Sequence, residues 1–109
     1  FIRRAMESWA YLVGALAAVR EGDRTLLDNT FVFAHSDHET ARTHSMGGIP
    51  MMTAGRAGGR IKSGIHVDGR GRELATQVGL TLMQAMGLER REWGVGAMRT
   101  AEVVDEILV

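Results

Sequence analysis

Residues 31–50, FVFAHSDHETARTHSMGGIP, decide which fold this chain can adopt and also raise the question of its function. A run of β-branched and aromatic residues over 30–34 leads into a polar stretch that carries three of the chain's four histidines. A second apolar run follows over 49–54. Short continuous apolar runs are typical of strands buried on both faces of a parallel sheet, and Pro50 suits only the first positions of such a strand. The stretch therefore predicts a strand, a polar loop and a second strand.

The flanking segments carry helical patterns. Apolar side chains recur at helical spacing over residues 2–21 and 73–86, and Gly87 is placed to end the second of these helices. Shorter patterns predict a third strand over 65–67 and a last helix over 101–108. The predicted order of helices and strands indicates an α/β layered domain.

A chain of 109 residues is one domain or part of one. Two or three strands make a small sheet with exposed edges, and the chain begins at Phe1, inside a helical pattern, without an initiator methionine. We therefore expect residues 1–109 to be either a single domain or the carboxyl-terminal fragment of a larger α/β domain. The expected partner is the missing upstream part of the same protein or a second copy of the chain.

Composition excludes several classes of protein. Thirteen basic and thirteen acidic residues cancel, and the arginines are scattered, so the sequence gives no case for binding nucleic acid. The longest apolar run, residues 9–19, is about half of the roughly 20 residues that a membrane span needs, so no membrane insertion is expected. The absence of cysteine excludes disulfides, thiolate zinc sites and cysteine nucleophiles.

The polar loop holds the candidate metal ligands. If the first apolar run is a central parallel strand, Asp37 and His38 leave its carboxyl end, where ligand sites of open α/β sheets gather. An Asp-His pair offers one carboxylate oxygen and one imidazole nitrogen, a set that suits zinc and also manganese or iron. His44 can turn back to the same edge and supply a third ligand. Spacing alone leaves a second interpretation open, in which the histidines are solvated and Asp37 caps a turn.

Two segments, SDH and HSMGGIP, resemble the carboxyl-terminal metal-binding region of the alkaline-phosphatase-like superfamily. There an Asp-His pair follows a core strand, and a later histidine lies six residues before the proline of an apolar strand, an interval that His44 and Pro50 keep. The resemblance implies that Asp37 and His38 hold one divalent metal, zinc or manganese, and that His44 holds its neighbour. It also implies a partial parallel-sheet sandwich like the carboxyl-terminal part of that fold.

A closer resemblance covers residues 26–109. The segments LLDNTFVFAHSD, IPMMTAGRAGGRIKSGIHV, LTLMQAMGL and WGVGA resemble the end of the bacterial HXXSHH-motif proteins, which are uncharacterised, often exported, and placed near the same phosphatase and sulfatase superfamily. This resemblance implies export to the periplasm or cell surface.

Together the resemblances imply the carboxyl-terminal portion of a metal-dependent phosphatase- or sulfatase-like hydrolase that contributes part of a divalent-metal site. The superfamily's nucleophile and remaining ligands lie upstream, so no catalytic residue is assigned and this chain alone is expected to be inactive. Glu39 also stands where the superfamily commonly has glycine. The alternative is a non-catalytic structural or partner-binding module that completes its sheet by oligomerising.

Several other features have simpler interpretations. Residues 55–64 are rich in glycine and cations, but they lack the Walker spacing, and we expect a tight loop with positive φ angles. His66 is expected to be a satisfied structural histidine. His35 is favoured less than its neighbours as a ligand, because an extended strand turns it to the side opposite Ser36. The seven methionines are expected to fill the core.

Overall fold

The computed structural model describes residues 1–69 and 75–109. Its helices and strands, in chain order, are α1 (Ile2–Ala18), β1 (Arg20–Glu21), β2 (Arg24–Thr25), α2 (Leu26–Asn29), β3 (Phe31–His35), β4 (Met51–Gly55) and α3 (Ala75–Ala85). Short 3-10 turns cover Ala57–Gly59, Gly96–Met98 and Asp105–Ile107. The mixed α/β composition predicted from the sequence is confirmed.

The described strands form two separate antiparallel pairs, β1 with β2 and β3 with β4. In the larger pair Phe31 lies opposite Gly55, and His35 lies opposite Met51. The two apolar runs therefore become strands close to their predicted bounds. They pair antiparallel because the link over residues 36–50 contains no helix, and a parallel pair needs a crossover connection, usually a helical one. The described residues do not show a parallel-sheet sandwich.

Both long helices end where glycine allows a turn. The first predicted helix ends at Ala18, earlier than expected, because Gly22 (φ 63°) turns the chain into the hairpin of β1 and β2. After α3, Gly87 (φ 84°) donates its N–H to the carbonyl of Gln84 at 2.9 Å, and the next residue, Leu88, donates to Met83 at 3.0 Å. This Schellman motif confirms Gly87 as the end of the helix. Residues 73 and 74 of the predicted helix lie outside the described part of the chain.

Two predicted elements are wrong. Residues 65–67 form no strand, and the segment over 101–108 contains a single 3-10 turn instead of a helix. The last segment stays extended because its backbone groups bond to distant parts of the chain: Val104 donates its N–H to Thr81 Oγ1 at 2.9 Å, and the Ile107 carbonyl accepts from the Lys62 N–H at 2.9 Å. These bonds replace the local ones that a helix would make.

The buried core is small and lies between α3, the carboxyl-terminal segment and the turn after β4. Ala57, Ile61 and Ala85 form its buried cluster. Thr81 is fully buried on α3; its hydroxyl donates to the Gln77 carbonyl at 2.7 Å and accepts the N–H of Val104. Because a buried polar group is costly without a partner, this satisfied hydroxyl holds the last segment against α3.

Much apolar surface is left uncovered in the described part of the chain. Helix α1 has no buried residue, and Tyr11 on it is 81% exposed. The prediction that the methionines fill the core is wrong: Met51 and Met83 are half-buried and the other five are exposed. No helix within residues 1–69 and 75–109 is both long and apolar enough to cross a bilayer.

The two helical glycines, Gly79 and Gly14, are expected to respond in opposite ways to alanine. A Cβ at Gly79 would collide with the ring of Trp93, whereas one at Gly14 would meet nothing within 4 Å. Gly79→Ala should lower the free energy of unfolding by about 1–3 kcal/mol despite its higher helix propensity, because the rigid indole must move. Gly14→Ala should raise it by about 0.5–1 kcal/mol. Urea unfolding measures both, and equal stabilisation by both changes would contradict the Trp93 packing.

A pH-dependent contribution is expected from Asp28 in α2. Hydrogen bonds from the Thr25 backbone and side chain lower the pKa of Asp28, so its contribution to stability is present above about pH 5 and is lost as pH falls through the folded-state pKa. The difference in free energy of unfolding between the unaltered chain and Asp28→Asn should therefore be constant from about pH 5 to 7. This difference should shrink as the pH falls below about 3.9. The urea concentration at the midpoint of unfolding, measured for both proteins across this pH range, tests this expectation. Asp23→Asn, in the exposed hairpin turn, is the matched control, and a difference that grows in acid would refute the assignment.

Candidate functional site

A capping box at α2 determines where β3 begins. Thr25 Oγ1 accepts the Asp28 N–H at 3.2 Å, and Asp28 Oδ2 accepts the Thr25 N–H at 2.9 Å. One turn later Thr30 Oγ1 donates to the Leu26 carbonyl at 2.6 Å. These bonds satisfy two amide N–H groups and one carbonyl at the ends of a helix with only four residues, so the chain enters β3 in a defined direction.

Gly55 anchors the far end of the β3–β4 pair. It lies opposite Phe31 with φ 90°, and a Cβ there would collide with the Thr30 carbonyl and come within 2.7 Å of the Leu27 carbonyl. Only glycine allows β4 to approach α2 this closely. The histidine loop leaves the opposite end of the pair, because residues 36–50 join His35 to Met51.

The loop over residues 36–50 closes on itself. Ser36 donates its N–H to the Pro50 carbonyl at 3.2 Å, which extends the strand ladder by one step. Further out, Glu39 N–H donates to the Ser45 carbonyl at 2.8 Å, and Ser45 Oγ donates to Glu39 Oε2 at 2.7 Å. Glu39 therefore has a local role where the resembling superfamily commonly has glycine. These bonds return His44 towards the start of the loop.

The structure brings His38 close to each of the other two predicted ligands. Asp37 Oδ1 lies 2.7 Å from His38 Nδ1, and the rings of His38 and His44 lie with their centroids 4.9 Å apart at an interplanar angle of 45°. The His38 side chain is 22% exposed and that of Asp37 is 87% exposed. His44 is exposed, with φ 49°, a left-handed conformation that histidine adopts more often than most residues. His35 stays apart, stacked on Phe33 with centroids 5.2 Å apart.

The two imidazoles have a separation that suits a shared metal ion. Two imidazoles bound to one zinc ion at about 2.0–2.1 Å, with a tetrahedral angle between them, hold their ring centres about 5 Å apart. The observed 4.9 Å between His38 and His44 agrees with that value. The carboxylate of Asp37 instead contacts the ring of its neighbour. Across residues 1–69 and 75–109, no group of three or more histidine, aspartate or glutamate side chains has the arrangement of a metal site.

The glycine-rich segment after β4 forms the expected tight loop with positive φ angles, at Gly55, Gly58, Gly59 and Gly64. Its cations bind carbonyl groups of the chain: Arg60 donates to Ala85 at 3.3 Å and Lys62 Nζ donates to Glu106 at 3.2 Å. These contacts indicate a structural loop and not a phosphate cradle. His66 is exposed, and its interpretation as a satisfied structural histidine stays a prediction.

A cavity of about 740 Å³ lies beside the β3–β4 pair, and sequence reasoning did not locate it. Its apolar lining includes Trp9 of α1, Phe33 of β3, Val78 of α3, and Val104 and Ile107 of the last segment. These residues are far apart in sequence, and no local pattern could have shown that they meet. Asp37, His38 and His44 do not line it.

Comparisons with protein-family models, with curated proteins and with solved structures found no match to this chain.

Proposed function

We propose that this chain is the carboxyl-terminal portion of a metal-dependent phosphatase- or sulfatase-like hydrolase of the alkaline-phosphatase-like superfamily. In this proposal Asp37, His38 and His44 contribute part of a divalent-metal site, in which His38 and His44 share one ion and do not bind two neighbouring ions as the resemblance implies. The observation that carries it is the approach of two imidazoles from positions six residues apart, with ring centroids at 4.9 Å, on a loop that leaves the end of β3. The segments that resemble the superfamily supply both imidazoles, His38 from SDH and His44 from HSMGGIP.

The chain's own residues would bind and orient the ion. A bound zinc or manganese ion supplies Lewis-acid stabilisation of the oxygens at a transferring phosphoryl or sulfuryl group. The loop bonds of Glu39 and Ser45 hold His44 close to His38. The nucleophile and the remaining ligands come, in this proposal, from an upstream part of the protein, which also completes a parallel-sheet sandwich. Export to the periplasm or cell surface belongs to the same proposal.

A second candidate is a non-catalytic module that completes its sheet by oligomerising. It is favoured by the uncovered apolar surface of α1, which has no buried residue, and by the pairing of β3 with only one strand among the described residues. Sedimentation velocity of the 109-residue chain distinguishes the candidates: this module predicts a stable oligomer without bound metal.

Zinc binding should depend on the two histidines that approach each other. His38→Asn and His44→Asn remove one imidazole each, and asparagine tolerates the left-handed backbone at position 44. Each change should weaken zinc binding by more than about 100-fold, because even a ligand's hydrogen-bond partner is worth about 10–100-fold. Isothermal titration and elemental analysis measure affinity and stoichiometry.

The matched controls for that titration are His35→Asn and His66→Asn, which remove exposed histidines outside the pair. Both should bind zinc like the unaltered chain. Equal affinity in all four variants, or no zinc binding by the unaltered chain at micromolar concentrations, would refute the metal-site proposal.

A further inference from the structure

We propose that the cavity beside the β3–β4 pair binds a small amphipathic molecule that has an alkyl or aryl body and one anionic head group. Its volume of about 740 Å³ lies within the range of about 300–1,000 Å³ that is typical of small-molecule sites. None of Asp37, His38 and His44 lines this cavity. Binding of such a molecule therefore does not depend on the proposed metal site, and the two sites can be tested separately.

The lining of the cavity has an apolar side and a polar side. The apolar side includes buried and half-buried side chains from α1, β3, α3 and the last segment: Trp9, Phe33, Val78, Val104 and Ile107. Apart from Thr53, the lining residues with charged, hydroxyl or imidazole groups belong to a single stretch, residues 62–68, and all of them are exposed. A molecule with an apolar body and a polar head therefore has one orientation in which each part contacts a surface like itself.

Lys62 provides charge complementarity on the polar side. Its backbone N–H donates to the Ile107 carbonyl at 2.9 Å, and its Nζ donates to the Glu106 carbonyl at 3.2 Å, so both ends of the residue are tied to the last segment. An ammonium group has three N–H donors, and this carbonyl accepts only one of them. No carboxylate within residues 1–69 and 75–109 forms an ion pair with Lys62, so its charge is available to an anionic head group.

The other groups of the lining define the class of molecule more closely. Asp68 lies on the same polar side and has an interaction of its own. Because one lysine and one carboxylate line this side, a head group with a single negative charge fits better than a dianion. On the apolar side Val104 is only 7% exposed, so a slender alkyl or aryl group can reach it, whereas the broad surface of a second copy cannot.

Decanoate and decanol are suitable probes, because they share an alkyl chain and differ in the charge of the head group. Isothermal titration calorimetry of the 109-residue chain, at concentrations too low for micelles, should show one decanoate bound per chain. Hexanoate should bind more weakly, by up to about fourfold for each methylene group that it lacks, because less apolar surface is buried. Equal affinity for decanoate and hexanoate would contradict an apolar site.

Substitution of Lys62 tests the charge complementarity. Lys62→Gln keeps a hydrogen-bond donor but removes the charge, so the affinity for decanoate should fall by about fivefold and that for decanol should not change. Lys62→Arg keeps the charge and should bind decanoate like the unaltered chain. Loss of affinity for both probes in Lys62→Gln, or for neither, would overturn the proposal.

Substitution of Val78 tests the location of the apolar body. Val78→Phe places a larger side chain in the cavity and should weaken the binding of both probes by more than about 10-fold, because overfilled sites relax poorly. Gln84→Phe is the matched control, since residue 84 lies on the same helix and does not line this cavity. Circular dichroism shows whether both variants keep the fold, and equal affinity of the two folded variants would contradict the location.

Fluorine NMR of the chain labelled with fluorinated tryptophan locates the bound probe without any substitution. Trp9 lines the cavity and Trp93 does not, so decanoate should shift the signal of Trp9 and leave that of Trp93 unchanged. Equal shifts of both signals, or no binding at millimolar decanoate, would overturn the proposal. A Trp9 signal that shifts with protein concentration alone would show that a second copy covers the cavity, which also overturns it. Zinc binding is measured separately, so failure of either site is distinguishable from failure of the other.

Discussion

The antiparallel pairing of β3 with β4 is the constraint on which the candidate site depends. Its register puts Phe31 opposite Gly55 and His35 opposite Met51, so the two ends of the pair have different surroundings. At one end Gly55 lies against the carbonyls of α2, where no side chain fits. At the other end the chain must leave and return within residues 36–50, and this short return brings His44 back to His38.

The site is held by local bonds and not by the main core. The buried residues gather around α3, where the hydroxyl of Thr81 holds Val104 and Ile61 pairs with Leu108. The loop is held by the backbone bonds of its own turns, by the contact of Glu39 with Ser45, and by the strand pair that it joins. A metal ion bound between two imidazoles would add a cross-link in a loop that has no buried residue, where binding and stability are coupled.

Local patterns predicted those parts of the fold that local forces decide. The apolar runs became β3 and β4 within two residues of their predicted bounds, and Gly87 ends α3 because only a left-handed residue completes its terminal bonds. The last segment did not follow its helical pattern, since its backbone partners, such as Thr81, lie elsewhere in the chain. The direction of strand pairing was also beyond sequence reasoning, because the apolar runs alone do not show how their link is folded.

The candidate site was predictable to the same degree. The spacing of His38 and His44 sufficed to predict that their rings could approach, because the loop between the two apolar runs must reverse. That Asp37, His38 and His44 bind a metal stays a prediction. The contact of Asp37 with the ring of His38 was not predictable, since it depends on the side-chain rotamers of adjacent residues. The apolar cavity was not predictable either, because the residues that line it lie in α1, β3 and α3, which are distant from one another in the sequence.

X-ray absorption at the zinc edge of the zinc-loaded chain tests the central claim most directly, because it reports the atoms bound to the ion. Two imidazole ligands at about 2.0–2.1 Å, with the outer-ring scattering that identifies histidine, are the predicted result. The remaining coordination positions should be filled by oxygen atoms. A coordination shell made of oxygen alone would contradict the account.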